Sequence, residues 1–173
     1  LGPWNHGQWG GAKGDSLGKI SFGSRTGEWF RVLQKSWFDY WLKGSGDGKF
    51  AEANCFQTGS NTWKSYASWP PKEATIKKLY AAPGNTASFT APKAATGYVS
   101  YTSDPAKPVP YRTLPIEATY GEGSRWRPWQ VEDQRFVYTR PDVISFVLDS
   151  LTEDLNVTGK IMAHLFASTS GTD

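Results

Sequence analysis

The sequence predicts a mainly β chain: a β-sandwich of jelly-roll type, preceded by a long loop and a single helix. Three observations carry this. Short strands separated by turn residues recur at near-regular spacing through the second half. The 173 residues include 18 glycines and 11 prolines, which favours many turns over a helical bundle. Only one segment places its apolar residues at helical spacing.

Residues 1–24 are rich in Gly, Asn, Ser and Trp without a period and read as a loop, with a short strand at Lys19-Ile20-Ser21-Phe22. Residues 26–43 read as the helix. Phe30, Leu33, Trp37 and Trp41 fall on one stripe, Glu28 and Lys43 complement the macrodipole at either end, and Gly44 stops the helix. Large aromatics at this spacing form a core face more often than a ligand site. The run Ser45-Gly46-Asp47-Gly48 reads as a linker. It divides the chain into residues 1–46 and a sandwich over 47–173.

Beyond it, Ala51–Phe56 is a strand and Thr58-Gly59-Ser60-Asn61 a turn. Trp63 to Trp69 follows, closed by Pro70-Pro71. Ile76–Ala81 is a strand, Pro83-Gly84-Asn85 a turn, and Gly97–Tyr101 alternates weakly. Asp104–Pro115 holds four prolines and reads as an extended connector. Val143–Leu148 and Lys160–Ser168, dense in branched and aromatic residues, read as the strongest strands. The pairing is expected to be mostly antiparallel.

The bulk composition excludes several functions. Lys and Arg number 19 against 16 Asp and Glu. Without a block of like charge, that balance implies neither nucleic acid nor a membrane surface as partner. No apolar run reaches the length of a membrane span. Cys55 is the single cysteine, so no internal disulfide or thiolate metal cluster forms and the redox compartment is left open. No cofactor and no metal ligand set is implied. Leu1-Gly2-Pro3-Trp4 reads as the exit of a strand and Thr169–Asp173 as a turn leading onward, so the chain is expected to be a fragment.

Few residues are candidates for chemistry. His164 alternates with Met162 and Phe166 in an expected strand and reads as structural or surface. His6 lies in a Gly- and Trp-rich loop after a strand end, where reactive groups gather in open α/β sheets, though position alone does not make a loop histidine catalytic. The chain is read as lacking a G-x-S-x-G elbow, so it is expected to carry no nucleophile of its own. Asp15, Glu28, Asp39 and Asp47 read as solvated charges and caps. The neighbours Glu132-Asp133 and Glu153-Asp154 point to opposite faces of a strand, poor geometry for a paired acid and base. The glycines at 7, 10, 11 and 14 do not lead from a strand into a helix, so they do not mark a phosphate loop. Asn156-Val157-Thr158 is a glycosylation sequon by pattern only.

Gly2-Pro3-Trp4-Asn5-His6-Gly7-Gln8 resembles the catalytic-histidine loop of a group of serine hydrolases. The group comprises α-amino acid ester hydrolases, glutaryl-cephalosporin acylases, cocaine esterase and X-Pro dipeptidyl-peptidases. The likeness continues through Trp37–Leu42, Thr58–Trp63, Ser68-Trp69-Pro70-Pro71 and the connector Tyr101–Pro110. It then runs through Asp133–Phe136, Arg140–Val143 and Ala167–Asp173. The connector is particularly similar to that of the ester hydrolases.

The resemblance implies that residues 1–46 close an α/β-hydrolase domain and that a galactose-binding-like jelly roll follows. By it, His6 is the general base of a Ser-His-Asp triad whose serine and acid lie upstream. It further implies as partners a small ester, amide or β-lactam substrate and the catalytic domain of the same polypeptide, with a homo-oligomer left open. The implied location is periplasmic or secreted, and the fragment alone is expected to be inactive. The competing reading is a β-sandwich that binds sugar rings on exposed tryptophans or serves only as a structural module. The surroundings of Trp63, Trp69, Trp126 and Trp129 separate the two, since flat exposed rings bind sugars and buried rings pack domains.

Overall fold

A computed structural model describes residues 1–11, 13–93, 97–116, 118, 119, 122 and 131–171. Among them the order is α1 (Gln8–Gly11), β1 (Ser16–Leu17), β2 (Ile20–Ser21), α2 (Thr26–Lys43), β3 (Ala53–Gln57), β4 (Thr62–Tyr66), β5 (Tyr80–Ala82), β6 (Thr86–Ser88) and β7 (Val147–Leu148). Strands outnumber helices, as the sequence predicts.

The helix is where the aromatic stripe puts it. Its end is set by Gly44, whose left-handed backbone (φ 64°) lets its own N–H reach the Tyr40 carbonyl and the Ser45 N–H reach that of Asp39. Asp39 takes ion pairs from Lys35 and, at 2.8 Å, from Lys43, each one turn away. The stripe splits in two. Phe30 and Leu33 are half-buried, whereas Trp37 and Trp41 are 46% and 62% exposed, beside exposed Phe38 and Leu42.

The core is small and aromatic. Leu17 and Phe22, flanking the β1–β2 hairpin, are buried with Phe56 of β3, and Trp63 of β4 packs against them. The β3–β4 ladder sets Phe56 directly opposite Trp63, their rings 5.4 Å apart edge to face. Trp63 in turn stacks flat on Trp29 of α2 at 3.9 Å and lies 5.8 Å from Trp4, which meets Phe30 at 5.2 Å. Offset and edge-on pairs of this kind add to the area they bury. The Trp63 Nε1–H is buried without an acceptor among the described residues. The cluster thus unites the loop, the helix and the hairpin across the linker at residues 44–50.

The turn Thr58–Asn61 closes the β3–β4 hairpin as expected. Its outer edge is also used: the Leu1 nitrogen donates to the Asn54 carbonyl (2.6 Å) and the Leu1 carbonyl accepts from the Phe56 N–H (2.9 Å). These slanted bonds are those of a parallel ladder, and they tie the first residue to β3.

Besides the two-stranded sheets β1–β2 and β3–β4, a third sheet has the order β5–β6–β7. Pro83-Gly84-Asn85 makes the β5–β6 turn, as predicted. Several strand bounds are corrected. The strand at 143–148 shortens to β7 and that at 76–81 to β5, offset by one residue. β7 joins β6 in parallel, while the other described pairs are antiparallel, in line with the mostly antiparallel pairing expected. Gly97–Tyr101 forms no strand. Lys160–Ser168 forms none either, and all nine of its residues are exposed, including Ile161, Leu165 and Phe166. A strand is held by hydrogen bonds to a neighbour, however strong its own propensity, and this stretch joins no ladder among the described residues.

The proline connector is held from across the chain. Arg140 forks onto Asp142 (2.7 and 2.5 Å) and donates to the Lys107 carbonyl (3.1 Å). Arg135 grips Asp133 in the same way, through Nε at 2.9 and 2.8 Å. The Asp133 carboxyl is lowered to about 2, chiefly by the Arg135 side chain and then by its backbone N–H.

Two outcomes are expected. Trp63→Ala costs about 3–5 kcal/mol, as deletion of a large packed aromatic does, read as a fall in the denaturation midpoint. The depressed Asp133 stabilises the folded state above the ordinary carboxylate range, and that contribution disappears as pH falls through about 2. In acid denaturation, the difference between wild type and Asp133→Asn therefore closes with falling pH. It also shrinks in salt, because the pair is exposed.

Candidate functional site

His6 stands exposed at the tip of the first loop. A turn in which the Asn5 carbonyl accepts from the Gln8 N–H (3.2 Å) and the Asn5 N–H donates to Gln8 Oε1 (3.1 Å) carries it. The edge of its ring meets Trp9 at 6.0 Å and 88°. His6 has no hydrogen bond to a serine or carboxylate among the described residues.

Below the tip the loop is pinned. The Trp4 Nε1–H on the entering arm donates to Thr26 Oγ1 (2.8 Å), and the Thr26 hydroxyl donates to the Gly14 carbonyl on the leaving arm. Thr26 is wholly buried at the start of α2. Beside it, the Gly27 N–H donates to the Lys13 carbonyl (3.0 Å), and Gln8 Nε2 reaches the Ser16 carbonyl (2.8 Å). Gly14 fits because it has no side chain. Its backbone is left-handed (φ 67°), and a Cβ there would lie 2.6 Å from the Gly27 nitrogen and 2.7 Å from Thr26 Oγ1. Thr26 and Gly14 were not legible as site residues, because a threonine opening a helix reads simply as a cap.

The letters G-x-S-x-G do occur once, at Gly14-Asp15-Ser16-Leu17-Gly18, so the reading that the chain lacks the pattern is corrected. The structure nevertheless builds no elbow there. A nucleophile elbow is a strained strand-to-helix turn with the serine at its apex, whereas Ser16 lies within β1, paired with Ser21, and Leu17 is buried beside it.

The remaining candidates lie elsewhere. His164 is exposed on the segment that forms no strand. Asp133 is bound to Arg135, while Glu153 and Asp154 are solvent-exposed. Cys55 is a free thiol, half-buried in β3. Among the described residues, no group of three or more His, Cys, Asp or Glu side chains is placed to hold a metal, and no helix is long and apolar enough to cross a membrane. Trp63 is stacked within the core, and Trp69 sits edge-on to Tyr66 at 5.7 Å. Trp69 is exposed, its ring inclined 63° to that of Tyr66, and Trp126 and Trp129 lie outside the described residues.

The described chain is mainly β, with an aromatic core that receives a preceding loop and helix. The chain belongs to the family of X-Pro dipeptidyl-peptidase C-terminal non-catalytic domains, which matches residues 38–173. It is 28% identical over 183 residues to the cocaine esterase of Rhodococcus sp. (strain MB1 Bresler), covering all of this chain and 31% of the esterase. Among solved structures it is similar to an α-amino acid ester hydrolase, with a TM-score of 0.79 and 37% identity over 91% of this chain and 26% of that one. It is also similar to an aminopeptidase from a marine sediment Thaumarchaeota archaeon, with a TM-score of 0.74 and 38% identity over 82% of this chain and 23% of that one. The chain thus spans about a third or less of each relative, all of them hydrolases, and its mainly β body is that of their C-terminal β-sandwich domain. The sequence resemblance to this group is correct.

Proposed function

We propose that the chain is the C-terminal part of a serine hydrolase or acyltransferase acting on an ester or amide carbonyl, with His6 its general base. The observation that carries this is the placement of His6. It is exposed on a pinned loop that precedes the matched non-catalytic segment, within a chain similar throughout its length to an esterase. Residues 1–46 are then the end of the α/β-hydrolase domain and 47–173 the sandwich, of jelly-roll type. The cluster of Trp4, Trp29 and Trp63 lies at their junction, and the bare helix face of Trp37, Phe38 and Trp41 is covered by the rest of the catalytic domain.

In this reading the serine and aspartate belong to the preceding polypeptide. His6 accepts the serine proton as the hydroxyl attacks the carbonyl, then returns it to the leaving group, giving an acyl-enzyme. Water, or the amine of a β-lactam nucleus, takes the acyl group. The sandwich lends shape and no reacting group, so the chain alone is inactive.

In the full-length polypeptide, His6→Ala is expected to lower kcat for ester hydrolysis by about 10³-fold or more, with a thermal melt close to wild type. His164→Ala should leave turnover intact. Near-normal turnover in His6→Ala, or loss of turnover confined to His164→Ala in a folded protein, removes the assignment.

A further inference from the structure

From the two bonds on its hydroxyl, we infer that Thr26 is a positioning residue for His6, closing the base of the loop that carries the imidazole. The inference rests on His6 being the general base. A single buried oxygen accepts from the Trp4 indole on one arm and donates to the Gly14 carbonyl on the other. The His6 ring itself is exposed, with Trp9 at 6.0 Å as its ring contact, so its direction follows that of the loop that carries it.

A hydroxyl can serve both arms from one oxygen, because it donates and accepts at once. With Thr26 nowhere exposed, loss of the hydroxyl removes the partner of the Trp4 indole N–H and of the Gly14 carbonyl together. Gly14 strengthens the case from the other side, since its close approach to Thr26 and Gly27 leaves the leaving arm a single seat. Trp4 extends the linkage into the sandwich. Its ring lies between Phe30 and Trp63, so β4 and the His6 loop share one wall. The non-catalytic domain thereby acts on the reaction through packing, by fixing the direction of approach of the base.

The test uses the full-length polypeptide and ester hydrolysis followed across pH. Thr26→Val keeps the shape and removes the hydroxyl, while Thr26→Ser keeps the hydroxyl. Misplacing a base by about an ångström costs up to about 100-fold. Thr26→Val is therefore expected to lower kcat by about 10- to 100-fold with KM within about twofold, as loss of an interaction made in the transition state does. The acid limb of kcat/KM should move with it, and Thr26→Ser should restore both. Folded Thr26→Val with normal kcat and an unmoved pH profile overturns the inference, as does a Thr26→Ser variant equally impaired. Should Thr26→Val fail to fold, Trp4→Phe, which removes the indole donor and keeps an aromatic ring, is read by the same two criteria. Full activity in His6→Ala is a different result, and it strikes at the base assignment itself.

Discussion

The structure depends on the burial of aromatic rings around Trp63. Residues with a buried side are scarce in the described chain, and the apolar core proper is Leu17, Phe22 and Phe56 with Trp63 against them. Three stretches distant in sequence meet there: the first loop through Trp4 and Phe22, the helix through Trp29 and Phe30, and the hairpin through Phe56 and Trp63. Large rings are suited to this task, because each buries much area on few rotatable bonds. The orphan indole N–H of Trp63 shows that area outweighs hydrogen bonding at this point, since an unpaired buried donor is itself unfavourable by about 1–3 kcal/mol.

Polar bonds then set direction within what the rings hold together. Thr26 fixes the two arms of the first loop, Leu1 fixes its start on the edge of β3, and Arg140 fixes the proline connector through Lys107. The Leu1 bonds are main-chain and extend the edge of β3. The Thr26 and Arg140 bonds come from side chains and satisfy backbone carbonyls in stretches that no ladder serves.

What could be read from sequence divides along the range of the forces. The helix over Thr26–Lys43 and its stop at Gly44 are local, as are the turns at Thr58–Asn61 and Pro83–Asn85, so periodicity and turn chemistry found them. The state of Lys160–Ser168 is not local. Its residues have the composition of an interior strand, but pairing is decided by what lies alongside. The same holds for the first loop. His6 stood out because a resemblance pointed to it, whereas Thr26 acts on residues 22 and 12 positions away, a relation that no spacing rule encodes. The pattern at Gly14–Gly18 errs in the opposite sense, offering the letters of a nucleophile elbow where the backbone forms a small hairpin.

The bare run from Ile161 to Phe166 has a material consequence. Apart from His164 it is apolar, it contains no Asp, Glu, Lys, Arg or Pro, and its backbone joins no ladder among the described residues. Such a strip is a template for strand pairing between molecules. A preparation of this chain by itself has its solubility limited by that strip, and Lys160 is the one charge flanking it closely enough to act as a gatekeeper.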